Sequence, residues 1–224
     1  SAASDVYKRQ LHGNKETVVK VCNWLSLPLQ ALGCCILYLV IEAFSRHSLA
    51  AAWSYMVESP WVFLYNAFLI FTTFMVVYLF RRRVLVRLIM SCFWLLLGII
   101  NGVILANRVT PFTGPDLRNL SDGAKVVTKY LSKGTMILVA AALVALLAFF
   151  VWVWIKGPKF QGKIRWYLNV PLIALVIVLF TGATNLALTK RVLSSYFVNI
   201  AFAYQDYGYP YCLAVTLFDT GISE

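Results

Sequence analysis

The chain has 224 residues, 61% of them hydrophobic and 13% charged, a net charge of +11 and a mean hydropathy of +0.76. This is too apolar for a soluble domain, so the chain needs lipid as part of its solvent. The basic residues gather at the ends of apolar runs, the pattern that membrane orientation produces, which points away from nucleic acid as a partner.

Residues 1–10, SAASDVYKRQ, resemble a translated library adaptor and are set aside from the fold. Residues 11–23 form a polar lead. The first apolar span is expected at Trp24–Phe44, long enough for ~30 Å of helix, with Pro28 tolerated in its first turn. At its far end Glu42 and Arg46 are spaced i, i+4 and can pair. Ser48–Ser59 places Leu49, Ala52, Trp53 and Met56 at helical spacing, which predicts a short helix on the membrane surface. Pro60 opens the second span, Trp61–Phe80, and Arg81, Arg82, Arg83 and Arg87 follow it directly. The third span is expected at Leu88–Ala106, the fourth at Thr135–Ile155 and the fifth at Trp166–Leu188, the last two joined by the basic turn KGPKFQGKIR. The fold class is therefore all-α integral membrane, with five transmembrane helices and interfacial amphipathic helices. Cations are packed densely into the 2–3 and 4–5 loops, which places those loops and the amino terminus in the cytoplasm and the carboxyl terminus outside.

Asn101–Gly134 is the longest polar interruption. Its first part, RVTPFTGPDL (Arg108–Leu117), is a Pro- and Gly-rich elbow that breaks helix. Its second part regains helical spacing, with Leu117, Leu120, Ala124, Val127 and Leu131 on one side and Lys125, Lys129 and Lys133 as a basic ridge on another. Asp116 is placed to cap the amino terminus of that helix. Residues 189–224 are aromatic-rich; helix is expected to about Tyr207, broken at Gly208 and Pro210, in an extracellular linker that needs a surface to pack on. The five cysteines show no paired zinc spacing. Cys22, Cys34, Cys35 and Cys92 read as small apolar residues, and Cys212 falls in a segment outside the membrane.

Polar residues inside spans are costly, so their positions carry information. Asn66, Asn101 and Asn185 fall in the outer halves of spans two, three and five. Gly98 and Gly102 form GxxxG on span three, and Thr181, Gly182, Thr184 and Asn185 make a small polar patch on span five. Two readings stay open. In one, Gly98, Gly102 and Gly182 let spans three and five approach while the Asn side chains bond across helices. In the other, Asn101, Asn185, Arg108, Lys125, Lys129 and Lys133 border an outer-leaflet cleft that admits a lipid headgroup. No catalytic constellation and no metal-ligand spacing is present. A small polytopic transporter or channel would predict an internal repeat or charges deep in the spans, and neither is found. A non-enzymatic membrane scaffold is the other alternative.

Three stretches, ESPWVFLYNAFLI (Glu58–Ile70), RRRVLVRLIMSCFWLLLGIINGVILANRVTPFTGPDL (Arg81–Leu117) and NIAFAYQDYGYPYCLAVTLFDTGIS (Asn199–Ser223), resemble the membrane region of the lipoteichoic acid synthase family and the linker that follows it. TPFTGPDL and DYGYPYC are the most specific parts. The resemblance implies a bacterial-type plasma membrane protein with five spans (24–188), an extracellular linker (189–224) and a following sulfatase-like domain. That domain would move glycerol phosphate from phosphatidylglycerol to a cell-envelope polymer, using a divalent metal, manganese or magnesium. The domain is absent from this chain, so no catalytic residue or cofactor is assigned to it, and the chain itself is expected to be inactive. The partners implied are an anionic phospholipid, phosphatidylglycerol first, and the missing domain. The elbow Arg108–Leu117 and the segment Tyr204–Cys212 are the expected docking surface for that domain.

Overall fold

The computed structural model describes residues 25–119, 133–158, 160 and 164–218. Every element among them is helical. In order they are α1 (Ser26–Ser45), α2 (Leu49–Glu58), α3 (Pro60–Phe74, continued as a 3-10 segment Met75–Leu79), α4 (Arg83–Leu105), α5 (Gly114–Arg118), α6 (Lys133–Lys156), α7 (Trp166–Thr189), α8 (Ile200–Tyr207) and α9 (Tyr209–Phe218).

Four of these, α1, α3 with its 3-10 extension, α4 and α7, are long and apolar enough to cross a membrane. Their boundaries follow local chemistry. Ser48 caps α2 by accepting the Ala51 N–H, and Pro60 occupies the first turn of α3, where its missing donor costs nothing. The change to 3-10 geometry at Met75 follows two threonines whose hydroxyls return to the helix backbone, Thr72 to Phe68 O at 2.9 Å and Thr73 to Ile70 O at 2.6 Å. Such bonds compete with the i→i−4 ladder and bend helices. Pro171 lies inside α7 and removes one ladder donor there.

Helix α3 is the centre of the bundle: 61% of its apolar window is buried, against 6% for α7. Helix α1 packs on α2, α3 and α4, while α7 packs on α3 and the 3-10 segment. The two ends of the bundle differ sharply. At one end Ser26 meets Tyr78, and Arg87 reaches Ser26 and Gln30; we call this the basic end. At the other, the elbow end, the last turns of α1 and α4 and the first turns of α3 meet the elbow and helices α8 and α9.

The expected contact between spans three and five is not what the glycines serve. A Cβ on Gly98 would meet Ile41 at 3.2 Å and one on Gly102 would meet Phe44 O at 2.8 Å, so both glycines pack α4 on α1. Gly182 has open space where its Cβ would be, with nothing within 4 Å, so among the described residues it packs on no neighbour. The period of the GxxxG motif reports a small-residue face but not which helix fills it. The basic ridge lies almost wholly outside the described residues: Lys125 and Lys129 fall in 120–132, and only the backbone of Lys133 is described, as the first residue of α6.

Candidate functional site

The elbow end is built around three buried polar side chains, Glu42, Asn66 and Asn101, each 0% exposed. Each is tied to backbone outside its own helix, as a polar group in an apolar interior requires.

Glu42 sits one turn from the end of α1. Its Oε2 accepts from Arg46 Nε at 3.1 Å, the i, i+4 pair expected from sequence. Its Oε1 accepts from the Tyr38 hydroxyl at 2.9 Å and from the Tyr209 N–H at 3.0 Å. Arg46 in turn donates to Gln205 O at 2.7 Å and stacks over the Tyr55 ring, 4.1 Å from its centroid. Asn66, in the second turn of α3, donates to Val62 O and to Tyr207 O at 2.8 Å, and accepts the Tyr211 N–H at 2.9 Å. Asn101, near the end of α4, donates to Ser45 Oγ at 2.9 Å and accepts the Phe112 N–H at 2.8 Å. So Glu42 and Asn66 grip the joint between α8 and α9, and Asn101 grips the elbow.

The joint itself is Gly208, at φ +82°. A Cβ there would collide with the Tyr38 hydroxyl and lie 2.5 Å from Asn66 Nδ2. The helix break expected at Gly208 is found here, at the end of α8. The chain, however, resumes helix at once in α9, with Pro210 in its first turn, where a proline is tolerated. Tyr209, Tyr211, Cys212 and Leu213 are buried. Tyr211 joins an aromatic cluster with Tyr65, Phe197 and Tyr207. Cys212 is 1% exposed, and burial pushes its thiol above the ordinary range.

The elbow is held as a unit. Thr113 and Asp116 form a capping box at the start of α5, with the Thr113 N–H donating to Asp116 Oδ2 at 2.9 Å. Arg108 grips both Asp116 oxygens and also donates to Thr110 O and Pro111 O. Burial alone would raise the Asp116 carboxyl, but the Arg108 and Thr113 donors outweigh it and hold it below the usual carboxylate range. Gly114 donates to Thr216 Oγ1 at 2.9 Å and Arg118 to Leu217 O at 3.0 Å, which ties α5 to α9.

Of the residues proposed from sequence to border a headgroup cleft, Asn101 is consumed by Ser45 and Phe112, and Arg108 by Asp116 and two carbonyls. Asn185 is exposed on α7, and Thr184 bonds to Tyr65 at 2.8 Å. These groups do not converge on one opening. Of the surface expected to receive a separate domain, the elbow is bonded to α9 at Thr216 and Leu217, and in Tyr204–Cys212 the side chains of Tyr204, Tyr209, Tyr211 and Cys212 are buried. What the sequence did not show is that Glu42 and Asn66 serve the carboxy-terminal helices; the GYP triplet at 208–210 was the available signal. Glu42 and Asn66 thus staple α8 and α9 to the bundle, and beside this staple an open cavity of about 670 Å³ is lined by Arg46, Ser54, Tyr55, Glu58, Gln205 and Asp206. Among the described residues no group of three His, Cys, Asp or Glu side chains gathers where it could hold a metal ion.

The fold and this staple define an all-α, multi-pass membrane protein whose carboxy-terminal helices are locked onto one end of its bundle. Comparison of the chain with family models, curated proteins and solved structures finds no match.

Proposed function

We propose that this chain is the membrane platform of a lipoteichoic acid synthase-like phosphoglycerol transferase, holding a following sulfatase-like domain at the outer leaflet where its lipid donor lies. The observation that carries the reading is the staple. Glu42, Asn66 and the elbow fix residues 207–217 against the bundle, so any polypeptide that continues past α9 starts from a fixed place and direction. The family itself rests on the resemblance of the three stretches quoted above. Anchoring a catalytic domain this way confines it near its substrate and raises the effective concentration of one for the other.

Five spans fit this reading. Helix α4 ends at the elbow end and α7 begins at the basic end, where Asn169 donates to Tyr78 O at 2.8 Å. The chain must return between them, and α6, a 24-residue helix, is about 36 Å long at 1.5 Å per residue, enough to do so. On this reading the basic end faces the cytoplasm and the elbow end the outside, which the dense basic loops support. A transporter reading fits less well, because the deeply buried polar side chains are bonded to backbone and side chains rather than left to line a path.

Two measurements test the proposal. With the elbow end outside, a cysteine at Val198, which is 91% exposed, reacts with a membrane-impermeant thiol reagent in intact cells; labelling only after permeabilisation reverses the orientation. Release of diacylglycerol from phosphatidylglycerol with added manganese is expected from a chain extended by its downstream domain and not from residues 1–224 alone. Turnover by the 224-residue chain refutes the division of labour, and an inactive extended protein refutes the transferase reading.

A further inference from the structure

The basic end carries a second feature that the anchoring role does not use. All the carboxylates among the described residues, Glu42, Glu58, Asp116 and Asp206, lie at the elbow end: two in ion pairs and two lining the cavity beside the staple. The basic end holds Arg81, Arg82, Arg83, Arg87, Lys156 and Arg165 and no described carboxylate. A cation in such a place ordinarily finds water or a neutral acceptor. Arg87 does so, donating to Gln30 Oε1 at 3.2 Å and Ser26 Oγ at 2.9 Å.

Arg82 and Arg83 are held differently. Arg83 Nε and Arg82 Nη1 are buried and have no hydrogen-bond partner among the described residues. Their guanidinium groups are held in place by aromatic rings instead. Arg83 Cζ lies 3.8 Å from the Phe160 ring centroid and 5.1 Å from that of Tyr78, and Arg82 Cζ lies 5.8 Å from that of Trp154. Stacking engages the face of a guanidinium and leaves its edge, where the N–H donors point, free for an acceptor.

Arg83 also lines an open cavity of about 640 Å³ with Phe160, Arg165, Tyr167, Leu168 and Asn169. Two cations face this space, and nothing described there carries negative charge. Phe160 is fixed by its own N–H donating to Arg81 O at 2.8 Å, so the ring that positions Arg83 is anchored to the segment carrying it. The apolar rim is open to the surroundings: Tyr167 is 72% and Leu168 51% exposed on the lipid-facing helix α7.

We propose that this cavity is a binding site for a phosphate-bearing anion, with Arg83 and Arg165 as its principal donors. Planar guanidinium groups match the tetrahedral oxygens of a phosphate mono- or diester through paired, charge-assisted hydrogen bonds. Arg83 and Arg165 are the cations among the residues lining the cavity, and that lining holds no carboxylate to compete for them. The ligand is either the headgroup of an anionic phospholipid, its tails along α7, or a free phosphate from the aqueous side. The site lies at the opposite end of the bundle from the staple and does not depend on the transferase reading.

The test uses the purified chain in a mild detergent. Binding of a short-chain phosphatidylglycerol is measured by native mass spectrometry beside phosphatidylcholine of the same chain length, and inorganic phosphate is titrated as a competitor. The wild-type chain is expected to retain phosphatidylglycerol over phosphatidylcholine, and Arg83→Gln/Arg165→Gln to weaken that retention by about 10-fold or more. Lys190→Gln, at the other end, leaves it unchanged. Retention that millimolar phosphate displaces assigns the free anion as ligand; retention that resists phosphate assigns the lipid headgroup. Folding of each variant is checked by continued protection of Cys212. If the double variant exposes Cys212, Arg165→Gln alone, at an exposed position, is read instead and should shift retention in the same direction. Equal binding of the two lipids without phosphate binding, or undiminished retention in a folded variant, overturns the site.

Discussion

Replacing Gly208 by alanine should release the carboxy-terminal helices while leaving the spanning helices in place. Two costs arise together. The residue sits at φ +82° and ψ 146°, a region that essentially only glycine occupies, and an L-residue there costs ~1–3 kcal/mol. The new methyl also collides with the Tyr38 hydroxyl and lies 2.5 Å from Asn66 Nδ2 and 2.8 Å from Asn66 Cγ. Both neighbours are fully buried and bonded, Tyr38 to Glu42 and Asn66 to Val62, Tyr207 and Tyr211, so neither can move aside without breaking hydrogen bonds. Overpacking of this kind costs a further ~1–3 kcal/mol. The sum, about 2–6 kcal/mol, lowers the ratio of docked to undocked α8–α9 by roughly 30-fold to 20,000-fold. Cys212 reports the event: it is 1% exposed, so it should react slowly with a neutral maleimide in the wild-type chain in detergent and much faster in Gly208→Ala. Gly33→Ala is the control, because a Cβ there meets nothing within 4 Å. Equal Cys212 reactivity in Gly208→Ala and wild type would refute the staple as the lock on these helices.

Three further outcomes follow from the same contacts. Glu42→Ala strands the Tyr209 N–H and an Arg46 side chain only 17% exposed, at a cost of ~3–5 kcal/mol; thermal unfolding in detergent should fall steeply, and Glu42→Gln, which keeps an acceptor, should fall less. Asp116 has a folded pKa below its unfolded value, so its contribution to the elbow is complete above the unfolded value, near 3.8, and is lost as pH falls through the folded one. The protection factor of the Thr113 amide, which donates to Asp116 Oδ2, should therefore fall only in acid for wild type, and be low and independent of pH for Asp116→Asn. Finally, Gly102→Leu should destabilise the bundle by separating α1 from α4, whereas Gly182→Ala should be within ~0.5 kcal/mol of wild type; equal effects at the two glycines would contradict the packing described.

The spanning helices were legible because hydropathy and interfacial Pro, Trp and Arg are local signals. Glu42–Arg46 was legible for the same reason: both partners lie on one helix turn. The elbow was readable as a break in helix, and Asn66 and Asn101 as polar groups needing partners. What could not be read was where those partners lie. The Tyr209 N–H and the Phe112 N–H are backbone donors, which every residue but proline carries, so no residue type in the sequence marks them. For the same reason Arg108, which looks free in a polar loop, proves to be spent on Asp116 eight residues on. Gly182 misled because small residues on a lipid-facing helix look the same in sequence as small residues at a contact.

The staple also sets an order in time. Glu42 enters the membrane 167 residues before Tyr209 exists to donate to it, and Asn66 enters 145 residues before Tyr211. At ~5–20 residues per second of translation, roughly 10–30 s pass with a carboxylate and an amide waiting inside a half-built bundle. Asn101 waits far less, since Phe112 follows it by 11 residues. A nascent chain halted before Tyr207 is thus the form most exposed to membrane quality control, and its protease sensitivity beside that of a chain halted after Phe218 would show how much the last helices protect it.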